Sequence, residues 1–128
     1  MNKRAELLAY LEEQLPAMVQ LLEALVSIES PSSDIHSHQA ALALLEQAFA
    51  ERGMRTSRIS GKDSIEHLYA RKRSRQRNGC YQLMLGHLDT VWPLGTLNNM
   101  PLLNDGKQMH GPGVYDMKAG VVQMIFAL

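Results

Sequence analysis

The sequence predicts an α/β domain, and three features of its pattern lead to this fold class. Near the N-terminus, apolar residues recur at steps of three and four, as on one face of an amphipathic helix. Short runs in the middle of the chain have strand composition and are separated by turn residues. A further helical pattern begins after residue 116. Elements in this order predict part of an α/β domain, which when complete sandwiches a mixed sheet between helices.

The size and the charge of the chain limit its function. Its 128 residues make at most one domain, and 45% of them are apolar, which is ordinary for a globular protein. Thirteen basic residues balance thirteen acidic ones, so the net charge favours neither a nucleic acid nor a membrane as partner. No signal peptide or membrane-spanning run is recognisable, and a single cysteine fits a reducing compartment. We therefore expect a cytoplasmic protein.

Two helices are predicted in the N-terminal half. The first follows the apolar stripe over residues 7–26, in which Pro16 predicts either a kink or a new helix starting near Leu15. After a loop at residues 30–34, the second helix is expected from Ile35 to Arg52, with Gly53 as its C-terminal cap.

The second helix carries two histidines, His36 and His38, that could suggest a metal pair. On a helix these side chains diverge by roughly 200°, so a solvated first turn is the preferred interpretation. The inner face of this helix is expected to comprise four residues: His38, Leu42, Leu45 and Phe49.

Three strands are predicted in the middle of the chain. Short strands are expected at residues 54–60 and 65–71, with Leu68 and Ala70 of the second facing the core. Residues 80–85 are nearly all apolar, which predicts a strand buried on both faces, with Cys80 as a buried small hydrophobe. Residues 71–77 are largely basic. A solvated hairpin connection is favoured there over a phosphate-binding or nucleic-acid-binding patch, because no aromatic residue is interleaved for stacking.

A histidine and two aspartates are the candidate functional residues. His87 and Asp89 follow the apolar run directly, and alternate residues of an extended segment point to the same face. An imidazole beside a carboxylate at a strand end suits a metal, because the carboxylate can orient the ring. Asp116 lies in a second glycine-rich stretch, residues 111–120. On spacing alone both motifs are weak, since such a pair arises often by chance and an aspartate before a helix is usually a cap.

Taken together, the two stretches resemble the N-terminal signatures of a zinc peptidase and deacylase family. They read GHLDTVWP at residues 86–93 and GPGVYDMKAG at residues 111–120. LVSIESPS, at residues 25–32, resembles the exit of that family's first helix. The family includes glutamate carboxypeptidase, aminoacylase, acetylornithine deacetylase and succinyl-diaminopimelate desuccinylase. The continuation VWPLGT, at residues 91–96, is most similar to the glutamate carboxypeptidase branch.

The resemblance implies a role for each candidate residue. His87 would be a ligand of one zinc ion, Asp89 would act in catalysis by orienting His87, and Asp116 would bridge two zinc ions, for which cobalt could substitute. The peptide bond between Asp116 and Met117 would be cis. The implied activity is metal-dependent hydrolysis of amide or peptide bonds in N-acyl amino acids, or in peptides with a C-terminal glutamate. A zinc-activated water would attack the carbonyl, and a glutamate would transfer the protons.

The chain matches only part of that family's site. The family's Glu-Glu pair, a further acidic ligand, a final histidine ligand and a dimerisation domain have no counterpart here, and His110 is interpreted as a loop residue. We therefore expect residues 1–128 to be a truncated, N-terminal part of a di-zinc exopeptidase-like catalytic domain, inactive by itself and a homodimer only in a full-length form. The alternative is a non-catalytic remnant that serves at most as a binding or interaction module. A nucleic-acid module on the basic run is a more distant possibility.

Overall fold

A computed structural model of the chain describes residues 2–62, 66–74, 80 and 82–128. Within these residues the chain forms three α-helices and two antiparallel β-hairpins, a mixture compatible with the predicted α/β class. The elements are α1 Lys3–Val26, α2 His38–Glu51, β1 Met54–Ser60, β2 Glu66–Lys72, β3 Leu103–Asn104, β4 Met109–His110 and α3 Ala119–Phe126. Single helical turns lie at Ile35–Ser37 and Thr96–Asn98, and a kinked turn, Val114–Lys118, leads into α3.

The first helix runs through Pro16 without a break, so the prediction of a second helix starting near Leu15 is wrong. Proline removes the hydrogen bond to the carbonyl four residues earlier, at Glu12. Both Glu12 and Pro16 are exposed, so water can reach the freed carbonyl and the helix continues. None of the helices among the described residues is long and apolar enough to span a membrane.

The second helix begins three residues later than predicted, after the turn Ile35–Ser37. The side chain of Asp34 caps this turn by accepting the N–H of His36 at 3.1 Å. His38 is buried and its Nε2 lies 2.8 Å from the carbonyl oxygen of Pro31, whereas His36 is exposed. The prediction that His38 lies on the inner face of the helix is therefore confirmed. The prediction that it lies in a solvated first turn is wrong. Gly53, with φ of 70°, follows the helix end as predicted.

The hydrophobic core lies where the three helices meet. Its buried members are Leu25, Ala41, Leu45, Ala48, Val122, Ile125 and Phe126. Leu68 of β2 and Leu88 pack against this cluster from the side, and the guanidinium of Arg52 lies 3.7 Å from the ring centre of Phe126. The core therefore brings the end of α1 next to α3.

The first hairpin pairs β1 with β2 in a register that sets Met54 opposite Lys72 and Ser60 opposite Glu66. This confirms both predicted strands, and Leu68 and Ala70 lie on the less exposed face. The predicted turn at residues 61–64 and the basic connection at residues 71–79 fall partly outside the described residues. In the second hairpin, β3 pairs with β4, so His110 lies in a short strand and not in a loop.

Residues 80–85 differ most from the prediction. Among the described residues of this segment none is in a strand, Cys80 is exposed, and the side chains of Leu83 and Leu85 are 73% and 77% exposed. A strand buried on both faces needs hydrogen-bonded neighbours and covering layers. The described residues form two separate hairpins and not the predicted mixed sheet. They therefore supply this segment with neither neighbouring strands nor covering layers.

Candidate functional site

Three segments meet beside the C-terminal end of α1: residues 25–32, 88–90 and 111–118. We call this region the junction. Its first two segments join in parallel through a bridge between Pro31 and Thr90. Thr90 N–H donates to the Ser30 carbonyl at 2.8 Å, and Ser32 N–H donates to the Thr90 carbonyl at 2.9 Å. The buried hydroxyl of Ser30 donates to the Leu88 carbonyl at 2.8 Å, so the loop after α1 holds the residues that follow His87.

Lys118 fastens the third segment of the junction. This side chain is 1% exposed, and its Nζ donates to the carbonyls of Leu25 at 2.9 Å and Ile28 at 2.7 Å. Burial lowers the pKa of Lys118 to about 8, against the opposing charge of Glu29. The lysine thereby links the residue before α3 to the carbonyls of Leu25 and Ile28, at and just beyond the end of α1.

Gly113 allows the second and third segments to touch. Its φ is 75°, and a Cβ added there would lie 2.6 Å from Cγ2 of Thr90. Only glycine satisfies both the left-handed backbone and this close approach. The glycine-rich stretch found in the sequence is therefore a packing requirement at this position.

Glu29 stabilises the residues that follow the first stretch. Its carboxylate accepts the N–H groups of Leu97 at 2.9 Å and Gly95 at 2.7 Å, at the start of the turn Thr96–Asn98. These two hydrogen bonds hold the pKa of Glu29 below its usual value. An ionised Glu29 thus fixes the chain beyond Val91 against the junction.

The structure brings His87, Asp89 and Asp116 together on the exposed side of the junction. Nε2 of His87 lies 3.0 Å from Oδ1 of Asp116, and Nδ1 lies 3.0 Å from the carbonyl oxygen of Asp89 and 3.4 Å from its Oδ1. The side chains of His87 and Asp116 are 46% and 81% exposed. The peptide bond between Asp116 and Met117 is cis, as the resemblance implies.

Both ring nitrogens of His87 face oxygen atoms, and this controls the charge of the ring. Partial burial disfavours the imidazolium, but the hydrogen bonds and negative charges of Asp89 and Asp116 outweigh it and raise the pKa of His87. A neutral ring would point one lone pair at an oxygen. The space between Nε2 and Asp116 is therefore best filled by a cation, whether a proton or a metal ion.

Ser32 is a member of the site that the sequence interpretation missed. Its hydroxyl donates to Oδ2 of Asp89 at 2.6 Å and lies 3.1 Å from the Thr90 carbonyl. The hydrogen bond from Ser32 is the main cause of the lowered pKa of Asp89. Its sequence signal was present, because Ser32 ends the LVSIESPS stretch that carries part of the resemblance.

The order of contacts, Ser32 to Asp89 to His87, differs from that of a serine hydrolase. In such a triad the imidazole contacts the serine, so that the ring can take the hydroxyl proton. Here the serine contacts the carboxylate instead. The arrangement orients a histidine and does not activate a serine nucleophile.

The site offers ligand types that suit zinc, but too few of them for a tight site. An imidazole nitrogen and a carboxylate oxygen are both ordinary zinc ligands, and a catalytic zinc usually has three protein ligands. No group of three or more histidine, cysteine, aspartate or glutamate residues that could hold a metal occurs within the described part of the chain. His87 and Asp116 thus fit part of a zinc site.

Comparison with known proteins gives one informative similarity. No family model matches the sequence. Carboxypeptidase G2 from Pseudomonas sp. (strain RS-16) is 28% identical to this chain over 116 residues. The match covers 91% of this chain and 28% of the relative, so the chain spans under a third of the relative's length. This similarity supports a distant, carboxypeptidase-like relationship.

Proposed function

We propose that this chain carries part of the active site of a zinc-dependent hydrolase that cleaves an amide or peptide bond. The proposed substrates are N-acyl amino acids or peptides with a C-terminal glutamate. The observation that carries the proposal is the convergence of His87, Asp89 and Asp116, which are up to 29 residues apart in sequence. The distant similarity to a carboxypeptidase supports the same class of reaction.

In the proposed site each side chain has a distinct task. Nε2 of His87 and the carboxylate of Asp116 would hold the metal, since they face each other across 3.0 Å and open to solvent. Asp89 would keep Nδ1 of His87 protonated and the ring in place. Bound zinc supplies Lewis acidity toward the substrate carbonyl and lowers the pKa of a water molecule.

Residues 1–128 would form a partial catalytic domain of a cytoplasmic enzyme, in which the described residues would supply two metal ligands, His87 and Asp116. Cobalt would substitute for zinc, because the same imidazole and carboxylate donors bind it. With two ligands the chain alone would bind zinc weakly and would turn over little substrate or none.

A non-catalytic binding or interaction module is the second candidate. The observation that favours it is the small number of metal ligands among the described residues. The two candidates differ in the role of His87: zinc binding through this residue is expected only if the site descends from a metal centre.

Titration of the purified chain with zinc, with the binding heat measured by calorimetry, tests the proposal. We expect weak binding that His87→Ala and Asp116→Ala each reduce by at least about tenfold, because each removes one of two ligands. His36→Ala is the matched control, since His36 is an exposed histidine on the turn before α2. Binding that survives both site substitutions, or no binding at millimolar zinc, would overturn the zinc assignment.

An activity assay complements this titration. The chain is incubated with zinc and an acyl-glutamate substrate, and release of glutamate is measured. Little or no turnover is expected from this chain alone. Efficient turnover that His87→Ala abolishes would show the site to be complete and would refute the proposal that ligands are missing.

A further inference from the structure

We propose that Ser32 is a positioning residue of the site: its hydroxyl fixes the carboxylate of Asp89, and through it the ring of His87. The hydroxyl donates to Oδ2 of Asp89 at 2.6 Å, and Oδ1 of the same carboxylate lies 3.4 Å from Nδ1 of His87. A hydroxyl bound to a carboxylate makes a charge-assisted hydrogen bond, which is shorter and stronger than a neutral one.

The backbone of Ser32 is itself held in place, and a positioning role requires this. Its N–H donates to the Thr90 carbonyl at 2.9 Å, one residue beyond Asp89. The adjacent Pro31 forms the parallel bridge with Thr90, and the buried Ser30 donates to the Leu88 carbonyl. Hydrogen bonds to the main chain on both sides of Asp89 therefore set the distance between the Ser32 hydroxyl and the Asp89 carboxylate.

Without the hydroxyl, the Asp89 side chain loses the hydrogen-bond donor that directs it. Asp89 is partly exposed, and its carboxylate could then rotate toward water. The ring proton on Nδ1 would keep only the carbonyl oxygen of Asp89 as acceptor, at 3.0 Å. The carboxylate of Asp116 would then favour the tautomer that carries the proton on Nε2. In that tautomer Nε2 has no free lone pair for a metal.

The fold depends little on this hydroxyl. Ser32 is exposed, and apart from the 3.1 Å contact of its hydroxyl with the Thr90 carbonyl, the contacts that hold its segment come from main-chain atoms and from Ser30. Replacement of Ser32 should therefore change the tautomer ratio of His87 and leave the unfolding transition nearly unchanged. This combination distinguishes a positioning role from a structural role.

The test measures the tautomer of His87 in the metal-free chain by long-range ¹H–¹⁵N spectroscopy, at a pH where the ring is neutral. For Ser32→Ala we expect the ratio of Nδ1-protonated to Nε2-protonated ring to fall roughly fivefold, the effect of about one hydrogen bond. Ser32→Thr keeps the hydroxyl and should preserve the ratio. Ser32→Val has the shape of the threonine variant without the hydroxyl and should lower the ratio. If Ser32→Ala does not fold, the difference between Ser32→Thr and Ser32→Val tests whether the hydroxyl sets the tautomer of His87.

Ser37→Ala is the matched control. The hydroxyl of Ser37 also makes a 2.6 Å hydrogen bond, to the Asp34 carbonyl, and it does not contact the site. This variant should leave the tautomer ratio unchanged. An unchanged ratio in Ser32→Ala and Ser32→Val as well would overturn the proposal.

A second readout is zinc affinity, and this part rests on the proposed function. Ser32→Ala should weaken zinc binding about tenfold, as loss of a group that orients a ligand usually does, and Ser32→Thr should restore it. If the unmodified chain binds no zinc while the tautomer ratio still depends on the hydroxyl, the proposed zinc site fails and the positioning role stands. Unchanged zinc affinity and tautomer ratio together would refute the role of Ser32.

Discussion

The junction and the apolar segment at residues 82–85 lie close in sequence but differ sharply in environment. In the junction, main-chain and side-chain hydrogen bonds join three segments, and Lys118 and Ser30 are fully buried. In the apolar segment, Leu83 and Leu85 remain largely exposed. The candidate site is therefore stabilised by polar contacts from the loop after α1, and the described residues 82–85 form no strand beside it.

The two regions meet at Gly86. A Cβ added there would lie 3.3 Å from the side chains of Met117 and Val121, so the chain passes close to the kinked turn before α3. Beyond this residue His87 enters the hydrogen-bonded region. The position of the site thus depends on the junction, and substitutions there should be costly, while those in the apolar segment should not.

The largest effect is expected for Lys118→Met. The substitution removes the Nζ donor to the carbonyls of Leu25 and Ile28 from a buried position, which should lower the free energy of unfolding by about 3 kcal/mol. Urea denaturation measures the change. Lys107→Met, at an exposed lysine, should stay within about 0.5 kcal/mol. Equal effects of the two substitutions would contradict the anchoring role of Lys118.

Gly113→Ala should lower the free energy of unfolding by about 2 kcal/mol, since it combines a strained backbone with a contact of 2.6 Å to Thr90. Gly106→Ala separates the two causes. Gly106 has φ of 83° but nothing within 4 Å of an added Cβ, so only the backbone term of about 1 kcal/mol applies. If both alanine variants lose the same amount in thermal denaturation, the close approach at Thr90 is unimportant.

A partly exposed ion pair away from both regions should have an intermediate effect. Arg58 donates to Glu46 at 2.8 Å and 2.9 Å, and this holds the pKa of Glu46 below its usual 4.5. The stabilisation is therefore present above pH 4.5 and is lost as the pH falls through the lowered pKa. Glu46→Gln should cost less than about 1 kcal/mol near neutral pH. Denaturation of both proteins at successive pH values should show this difference shrinking in acid.

The smallest effect is expected for Leu85→Ser. Its side chain is 77% exposed, so the free energy of unfolding should change by less than about 0.5 kcal/mol. Leu45→Ala, in the core, should cost about 3 kcal/mol in the same assay. A loss above about 2 kcal/mol for Leu85→Ser would mean that the apolar segment is covered in solution, and would remove the contrast between the two regions.

The sequence predicted most helices and strands because local patterns determine them. The inner face of α2 was found from periodicity, and both strands of the first hairpin from composition and turn residues. The strand predicted at residues 80–85 was wrong, because its apolar pattern describes a strand whose neighbours the described residues do not provide. Periodicity likewise could not show that α1 continues through Pro16, since that depends on exposure.

By itself, the sequence identified His87, Asp89 and Asp116 as candidates, because residue types and motif order carry that information. Only the tertiary structure decided that they converge, since the contact between His87 and Asp116 spans 29 residues. It also decided the roles of Ser32 and Lys118, whose hydrogen bonds reach across 57 and 93 residues. Contacts over such separations depend on how the helices pack, and no local pattern of polar residues records them.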